Sequence, residues 1–202
     1  RNWFDIYCTQ GPSSTPYFKQ LEAKHKFFKV YETGWCKVDA FFSPSLPPEP
    51  KRDVPVILYS PTFSKGITSA WALDDPQLLE DYKQIAARHD NVDFRKVNKG
   101  LETFRESDVM LCDSSSITVE YMLLDKPVVT YRNTHPGKHL LNVTDTELIG
   151  PAIERALTRP DELMSNIREY TSMHEAHRDG KNSSRVLDAV DDFIANYKGK
   201  IR

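Results

Sequence analysis

The residues best suited to chemistry are Asp113-Ser-Ser-Ser116, with Glu120 four positions on. They follow a short apolar run, Val109 to Cys112, and precede Ile117, Tyr121 and Leu124, which recur at helical spacing. A serine cluster between a buried strand and a helix start offers hydroxyls and backbone N–H groups at the positive end of the helix dipole, an arrangement that suits a phosphate. One serine in such a place also caps its helix whatever the protein does, so the pattern alone leaves both readings open. Glu120 shares a helical face with Ser116 and is either a ligand group or a solvent-facing carboxylate.

Other reactive side chains carry weaker signals. His174-Glu-Ala-His177 departs from the His-Glu-x-x-His spacing of a metal helix and reads as polar surface, so no metal site is expected. His135 and His139 flank a flexible Pro-Gly in a polar loop, within which a solvated role competes with a phosphate contact. Arg185 is a better phosphate candidate, because arginine reads phosphate bidentately. Cys8, Cys36 and Cys112 are an odd number at wide spacing, with no zinc pattern. Free buried thiols in a reducing compartment are expected, which leaves the sequons at Asn142 and Asn182 without meaning.

These residues need a framework to hold them. The chain has 202 residues, a net charge of -2 and 28% charged residues, so no general polyanion-binding surface is implied and no nucleic acid partner is expected. No apolar run reaches the length of a membrane span, and no signal peptide opens the chain. The abrupt start at Arg1 reads as a cut from something longer.

Taken in order, Phe4 to Cys8 is a strand and Pro16 opens a helix whose inner face is Tyr17, Phe18, Leu21 and His25. Phe27 to Tyr31 is a second strand, and Lys37 to Phe42 a short helix. The aromatic residues Trp3, Phe4, Tyr17, Phe18, Phe27 and Phe28 are most economically core. Five prolines between Ser43 and Pro55 mark a linker. The domain division is therefore 1–45, a linker over 46–55, and 56–202.

Val56 to Tyr59 opens the second unit as a buried strand, and Ser60 to Gly66 is a glycine-containing loop. Ile67 to Leu73 starts a helix. A second helix, Gln77 to Arg88, follows at once, with Leu78, Leu79, Tyr82, Ile85 and Ala86 inward. Two helices without a strand between them break the βαβ alternation, which suggests missing residues between Leu73 and Asp74. Alternation resumes with a strand at Asn91 to Arg95, a helix at Gly100 to Glu106, the strands Val109 to Cys112 and Val128 to Tyr131, and helices over 146–157, from Asp161 to about His174, and 186–197. The result is an α/β fold, a Rossmann-like doubly wound parallel sheet, in which ligands lie beyond the carboxyl ends of the strands. Three polar loops fall there: Ser60–Gly66, Asp113–Ser116 and Arg132–His139.

Four segments carry a family likeness. Ser107-Asp-Val-Met-Leu-Cys-Asp-Ser-Ser-Ser-Ile-Thr-Val-Glu-Tyr121 with Lys126-Pro-Val-Val-Thr-Tyr131 resembles the core signature of the CDP-glycerol glycerophosphotransferases of teichoic-acid and capsule synthesis. Tyr59-Ser-Pro-Thr-Phe63 resembles that family's loop after the first strand of its C-terminal domain. Gly34-Trp-Cys-Lys-Val-Asp39 resembles its Gly-x-x-x-x-Asp segment, and Asp179-Gly-Lys-Asn-Ser-Ser-Arg185 its Asp-Gly…Arg motif. The serine segment is similar, more distantly, to UDP-N-acetylglucosamine 2-epimerases.

The resemblance implies a GT-B architecture, with 1–45 the end of an N-terminal, acceptor-side domain and 56–202 a C-terminal, donor-binding one. It implies transfer of glycerol phosphate, or a related polyol phosphate, from a CDP-activated donor to a hydroxyl of a surface-polymer or lipid-linked acceptor, with release of CMP. Carried over residue by residue, Ser114, Ser115, Ser116 and Arg185 hold the donor diphosphate. Glu120, Thr62 and Phe63 take the nucleotide and ribose, and Lys65 and His135 are further phosphate contacts. No cofactor is implied, the CDP-polyol being a substrate. The place implied is cytoplasmic, at the inner face of the cell membrane, with peripheral membrane contact through parts outside this chain. The histidine bases of the family have no match among these residues: one lies before this chain begins, the other falls at the Leu73–Asp74 junction, and the catalytic base stays unassigned. A nucleotide-sugar glycosyltransferase or epimerase of the same architecture, and a catalytically incomplete nucleotide-binding module, are the alternatives.

Overall fold

The computed structural model describes residues 4–61, 76–95 and 100–199. Trp3, Thr62, Phe63, Lys65, the helix expected over 67–73 and the Leu73–Asp74 junction lie outside the described residues. The chain divides into two compact units: residues up to 48 together with those from 168 onward, and residues 49–167. The sequence reading put all of 56–202 in one domain; the C-terminal segment belongs instead with the first unit. The reason is a long-range cap, described below.

In the first unit, β1 (Ile6–Thr9) and β2 (Lys29–Glu32) pair in parallel, joined by α1 (Thr15–His25). Pro16 sits in the first turn of α1, where its missing N–H costs nothing. Phe28 and Val30 are buried, as is Val38 of the 3-10 turn Cys36–Phe42. Tyr7 stacks on Phe18 at 5.3 Å and meets Phe28 edge-on at 4.9 Å, so the aromatic cluster is real but shallow. Phe4 and Tyr17, expected in the core, are exposed, and α1 buries no residue completely.

In the second unit, β3 (Ile57–Tyr59), β4 (Val109–Cys112), β5 (Val128–Tyr131) and β6 (Leu141–Val143) form a wholly parallel sheet in that order. The helices are α2 (Pro76–Arg88), α3 (Gly100–Arg105), α4 (Ile117–Met122) and α5 (Ile149–Leu157). The Rossmann-like α/β class expected from the sequence is the one observed. Both faces of β4 are buried, as its unbroken apolar run requires. On one face Val109 and Val129 pack with Ala156 of α5, backed by Leu111, Leu141, Ile153 and Leu157. Just before β4, the Ser107 hydroxyl meets Tyr121 of α4 at 3.1 Å, and Tyr121 lies edge-on to Phe104 of α3 at 5.5 Å.

Several sequence expectations change. Asn91–Arg95 is not a strand, and Val92 and Phe94 are exposed, so a two-residue alternation there has no face to bury. β3 is less buried than its apolar run suggests: Ile57 and Tyr59 are exposed, as is Ile85 of α2. The strand β6 was not expected at all. The helix α6 (Asp161–His174) has the expected span, and α7 (Asn182–Asn196) begins four residues earlier than its apolar periodicity shows.

All three cysteines are free thiols, but only Cys112 is buried. Its thiol donates to the Ser60 carbonyl at 2.8 Å, and burial pushes it up to about 12. Cys8 and Cys36 are exposed, against the expectation of buried thiols. In a titration with an aromatic disulfide reagent, Cys8 and Cys36 should react in the native protein. Cys112 should react only after denaturation; rapid native reaction at Cys112 would contradict this packing.

Candidate functional site

In a parallel sheet the carboxyl ends of neighbouring strands lie on one edge. The loops after β3, β4 and β5 therefore begin side by side. Ser60 starts the first, and its N–H donates to the Leu111 carbonyl at 2.9 Å, beside the start of the second.

The second loop is the serine turn. Asp113 is buried, Ser114 and Ser115 are half-buried, and Ser116 is exposed. Ser116 holds the N-cap position of α4 but makes no side-chain capping bond. Capping falls to Ser115, whose Oγ accepts weakly from Ile117 N–H at 3.4 Å, while its carbonyl accepts from the Thr118 hydroxyl at 2.9 Å. The three serines are thus not equivalent, and the plain capping reading accounts for one of them only.

Ser114 faces the third loop. Its Oγ accepts from Thr134 N–H at 2.8 Å and from Thr134 Oγ1 at 3.2 Å. Thr134 Oγ1 is in turn 3.0 Å from Nδ1 of His135. Two residues picked from the sequence, Ser114 and His135, are therefore brought together through one that was not. Asn133 locks the same junction: its Nδ2 donates to the Asp113 carbonyl at 3.1 Å and its Oδ1 accepts from His135 N–H at 2.8 Å. Asn142 of β6 anchors the loop from below, its Oδ1 accepting from Asn133 N–H at 2.9 Å and from Thr130 Oγ1 at 3.0 Å.

Glu120 is buried, with 8% of its surface exposed, which rules out the solvent-facing alternative. The Lys-Pro that follows α4 has a structural part. Lys126 is 3% exposed; its ammonium donates to the carbonyls of Phe104, Arg105 and Ser107 and pairs with Glu49 at 3.1 Å. Burial pulls this lysine below its usual range, against the pull of Glu49. Asp108 is likewise tied down, by Arg52 at 2.7 Å and Val56 N–H at 2.8 Å. Burial raises its carboxyl, but these donors outweigh it and hold it below the usual carboxylate range. Ser107, Asp108 and Lys126 therefore fix the β4 and α3 ends, so that the serine turn projects from a rigid base.

In the first unit two of the resembling segments meet. Asp39 Oδ1 accepts from Asn182 N–H at 2.9 Å, and Oδ2 from Ser183 N–H at 2.8 Å and the Ser183 hydroxyl at 2.7 Å. This is a helix cap supplied from far along the chain. Burial pushes the Asp39 carboxyl up, but the Ser183 hydroxyl and the two N–H groups prevail and hold it low. Asn182 is fully buried, and its side-chain amide donates to the Trp35 carbonyl at 3.3 Å and to the Glu175 carboxylate at 3.2 Å. Arg185 grips Asp179 bidentately, at 2.9 and 2.5 Å, and also donates to Asn182. That grip holds the Asp179 carboxyl down to about 2. Arg185 lines a shallow cavity of about 260 Å³ with Tyr31, Glu32, Thr33, Asp188 and Asp192. Its guanidinium is already answered by a carboxylate, and three further carboxylates share the cavity, so in this arrangement it serves the helix start rather than an anion.

No group of three or more His, Cys, Asp or Glu side chains among the described residues is placed to hold a metal ion. No helix among them is long and apolar enough to cross a membrane.

Comparison with known proteins agrees with the fold. The wall teichoic acid polymerase TagF matches with a TM-score of 0.60 at 16% identity, over 95% of this chain and 58% of the polymerase chain. A TagF variant soaked with CDPG matches with a TM-score of 0.57 at 18% identity, over the same shares. A protein from Listeria monocytogenes, described as a UDP-N-acetylglucosamine 2-epimerase, matches with a TM-score of 0.61 at 16% identity, over 93% of this chain and 60% of that one. This chain thus spans about 58% of the polymerase chains it resembles. No curated protein matches. The sequence pattern described as CDP-Glycerol:Poly(glycerophosphate) glycerophosphotransferase matches residues 76–192, which include the serine turn, the Thr134 loop and Arg185. The chain belongs to the CDP-glycerol:poly(glycerophosphate) glycerophosphotransferase family.

Proposed function

We propose that this chain binds the donor in the transfer of glycerol phosphate, or a related polyol phosphate, from a CDP-activated polyol to a hydroxyl of a cell-surface polymer. The acceptor hydroxyl attacks the distal phosphorus of the donor, the bond to the bridging oxygen breaks, and CMP leaves. The observation that carries the reading is the serine turn at the carboxyl edge of the sheet. There Ser116 is exposed and uncommitted to capping, Ser114 is held by the adjacent loop, and Glu120 is buried one helical turn on. Hydroxyl and N–H donors aimed at a diphosphate stabilise the charge that builds on the leaving CMP. In this reading Ser114, Ser115 and Ser116 bind the diphosphate and Glu120 the ribose diol. By the family resemblance Thr62 and Phe63 are assigned to the nucleotide, and Lys65 and His135 to further phosphate contacts. Arg185 acts at a distance, by fixing the start of α7. The donor is a substrate and the reaction calls for no cofactor. The acceptor is a lipid-linked or surface polymer, reached at the cytoplasmic face of the membrane.

The likeness to the Listeria protein favours one alternative, a nucleotide-sugar enzyme of the same architecture. Titration calorimetry separates the two. Heat of binding with CDP-glycerol that UDP-N-acetylglucosamine fails to compete away supports the transferase reading. Preference for the UDP-sugar supports the alternative, and no heat with CDP-glycerol, CDP or CMP removes the donor-site assignment.

A further inference from the structure

Thr134 and Asn133 belong to no motif noted in the sequence, yet they hold the key hydroxyl of the serine turn. A serine hydroxyl has two acceptor lone pairs and one proton to donate. At Ser114 both acceptor positions are filled, by Thr134 N–H at 2.8 Å and by the Thr134 hydroxyl at 3.2 Å. The Ser114 proton is then left to point at a third partner. A Thr134 hydroxyl that gives its proton to Ser114 can only accept from His135, 3.0 Å away, which requires the tautomer with the proton on Nδ1. Asn133 clamps the two loops on either side of this chain of bonds, through the Asp113 carbonyl and His135 N–H. The polarity runs one way: His135 to Thr134, Thr134 to Ser114, and Ser114 outward. An outward hydroxyl donor suits an acceptor-only ligand, which a phosphate oxygen is.

We infer that Thr134, braced by Asn133, is a positioning residue that turns Ser114 into an obligatory donor to the distal phosphate of the nucleotide. This rests on the donor-site reading above and adds to it a residue and a direction. The distal phosphate is the one that CDP has and CMP lacks, so their affinity ratio reports on this bond. The variants are Thr134→Val, which keeps the backbone N–H and the shape but removes the hydroxyl, Thr134→Ser, which restores it, and Ser114→Ala. Each is checked for an unchanged thermal midpoint, then titrated with CDP and with CMP.

Thr134→Val should lower the CDP-to-CMP affinity ratio about tenfold, the effect of one hydrogen bond to a charged oxygen. Thr134→Ser should bring it back, and Ser114→Ala should lower it at least as far. A wild-type ratio in Thr134→Val, alongside a reduced one in Ser114→Ala, overturns the positioning role and leaves the donor site standing. An unchanged ratio in Ser114→Ala, or no CDP binding by the wild type, overturns both. If Thr134→Val lowers the thermal midpoint, Asn133→Ala replaces it. This variant removes the donor to the Asp113 carbonyl without adding charge beside the phosphate, and the same ratio decides.

Discussion

Gly34→Ala is expected to destabilise the first unit by about 2–5 kcal/mol, from about 1–2 for a side chain in the left-handed region and about 1–3 for forced overpacking. Gly34 sits at φ +82°, where only glycine is comfortable. An added Cβ would lie 2.2 Å from Asn182 Oδ1 and 2.7 Å from Glu175 Oε1. Neither neighbour is free to yield. Asn182 is fully buried, and Glu175, 2% exposed, accepts from Trp35 N–H at 2.8 Å and from His177 N–H at 2.8 Å. The displaced groups are those that Asp39 and Arg185 organise, so the start of α7 should loosen with the fold. Denaturant unfolding gives the energy, and hydrogen exchange at Asn182 and Ser183 gives the place. A midpoint within error of wild type would show that the Gly34 and Asp179 segments do not interlock as described.

Lys126→Met is the second large effect, a loss of about 3 kcal/mol in the second unit. Breaking a buried ion pair costs about 3–5 kcal/mol when one charge is left without its partner. The lower end applies here for two reasons. Glu49 is 46% exposed and can be rehydrated. The Phe104 and Arg105 carbonyls also keep other donors, in Ser107 Oγ and Arg52. The Ser107 carbonyl has no such substitute among the bonds described for it, and its strand leads directly into the serine turn. The variant should therefore weaken CDP binding as well as lower the unfolding midpoint. Glu49→Gln, which leaves the lysine and its three carbonyls in place, should cost much less. Equal losses in the two variants would mean that the exposed ion pair, not the carbonyl cluster, is what Lys126 contributes.

What could be read in the sequence follows from how local each cause is. β4 and β5 declare themselves, because a central parallel strand is buried on both faces and must be a continuous apolar run. The serine turn is visible for the same reason, since it interrupts such a run just before a helical period. β6 is invisible: Leu141-Asn-Val143 is short, and its middle residue looks polar until its side chain is seen to hold the loop after β5. The start of α7 misleads because its cap, Asp39, lies 143 positions before Asn182. No local pattern near Asn182 encodes that bond, which also assigns the C-terminal segment to the first unit. Asn91–Arg95 fails in the opposite sense: its apolar Val92 and Phe94 stay exposed, Phe94 meeting the Tyr82 ring rather than a sheet face.

The site divides along the same line. Ser114, Ser115, Ser116 and Glu120 stand out as candidates because type and spacing within eight residues suffice to propose them. Thr134 was not, since its meaning depends on β4 and β5 being neighbours, which puts residues twenty apart within hydrogen-bond reach. Arg185 was chosen by type, as arginine is the residue for phosphate, but type says nothing about a carboxylate six residues earlier that already fills its fork. The likeness of the segments named their family; only the fold shows which of their side chains hold the structure.

The central claim is that the serine turn binds the donor diphosphate. Isothermal titration of the wild-type chain and Ser114→Ala with CDP and with CMP tests it most directly. The wild type should bind CDP more tightly than CMP, and the variant should lose that preference at an unchanged thermal midpoint. Equal affinity of the wild type for the two nucleotides, or a preference for CDP that survives Ser114→Ala, would contradict it.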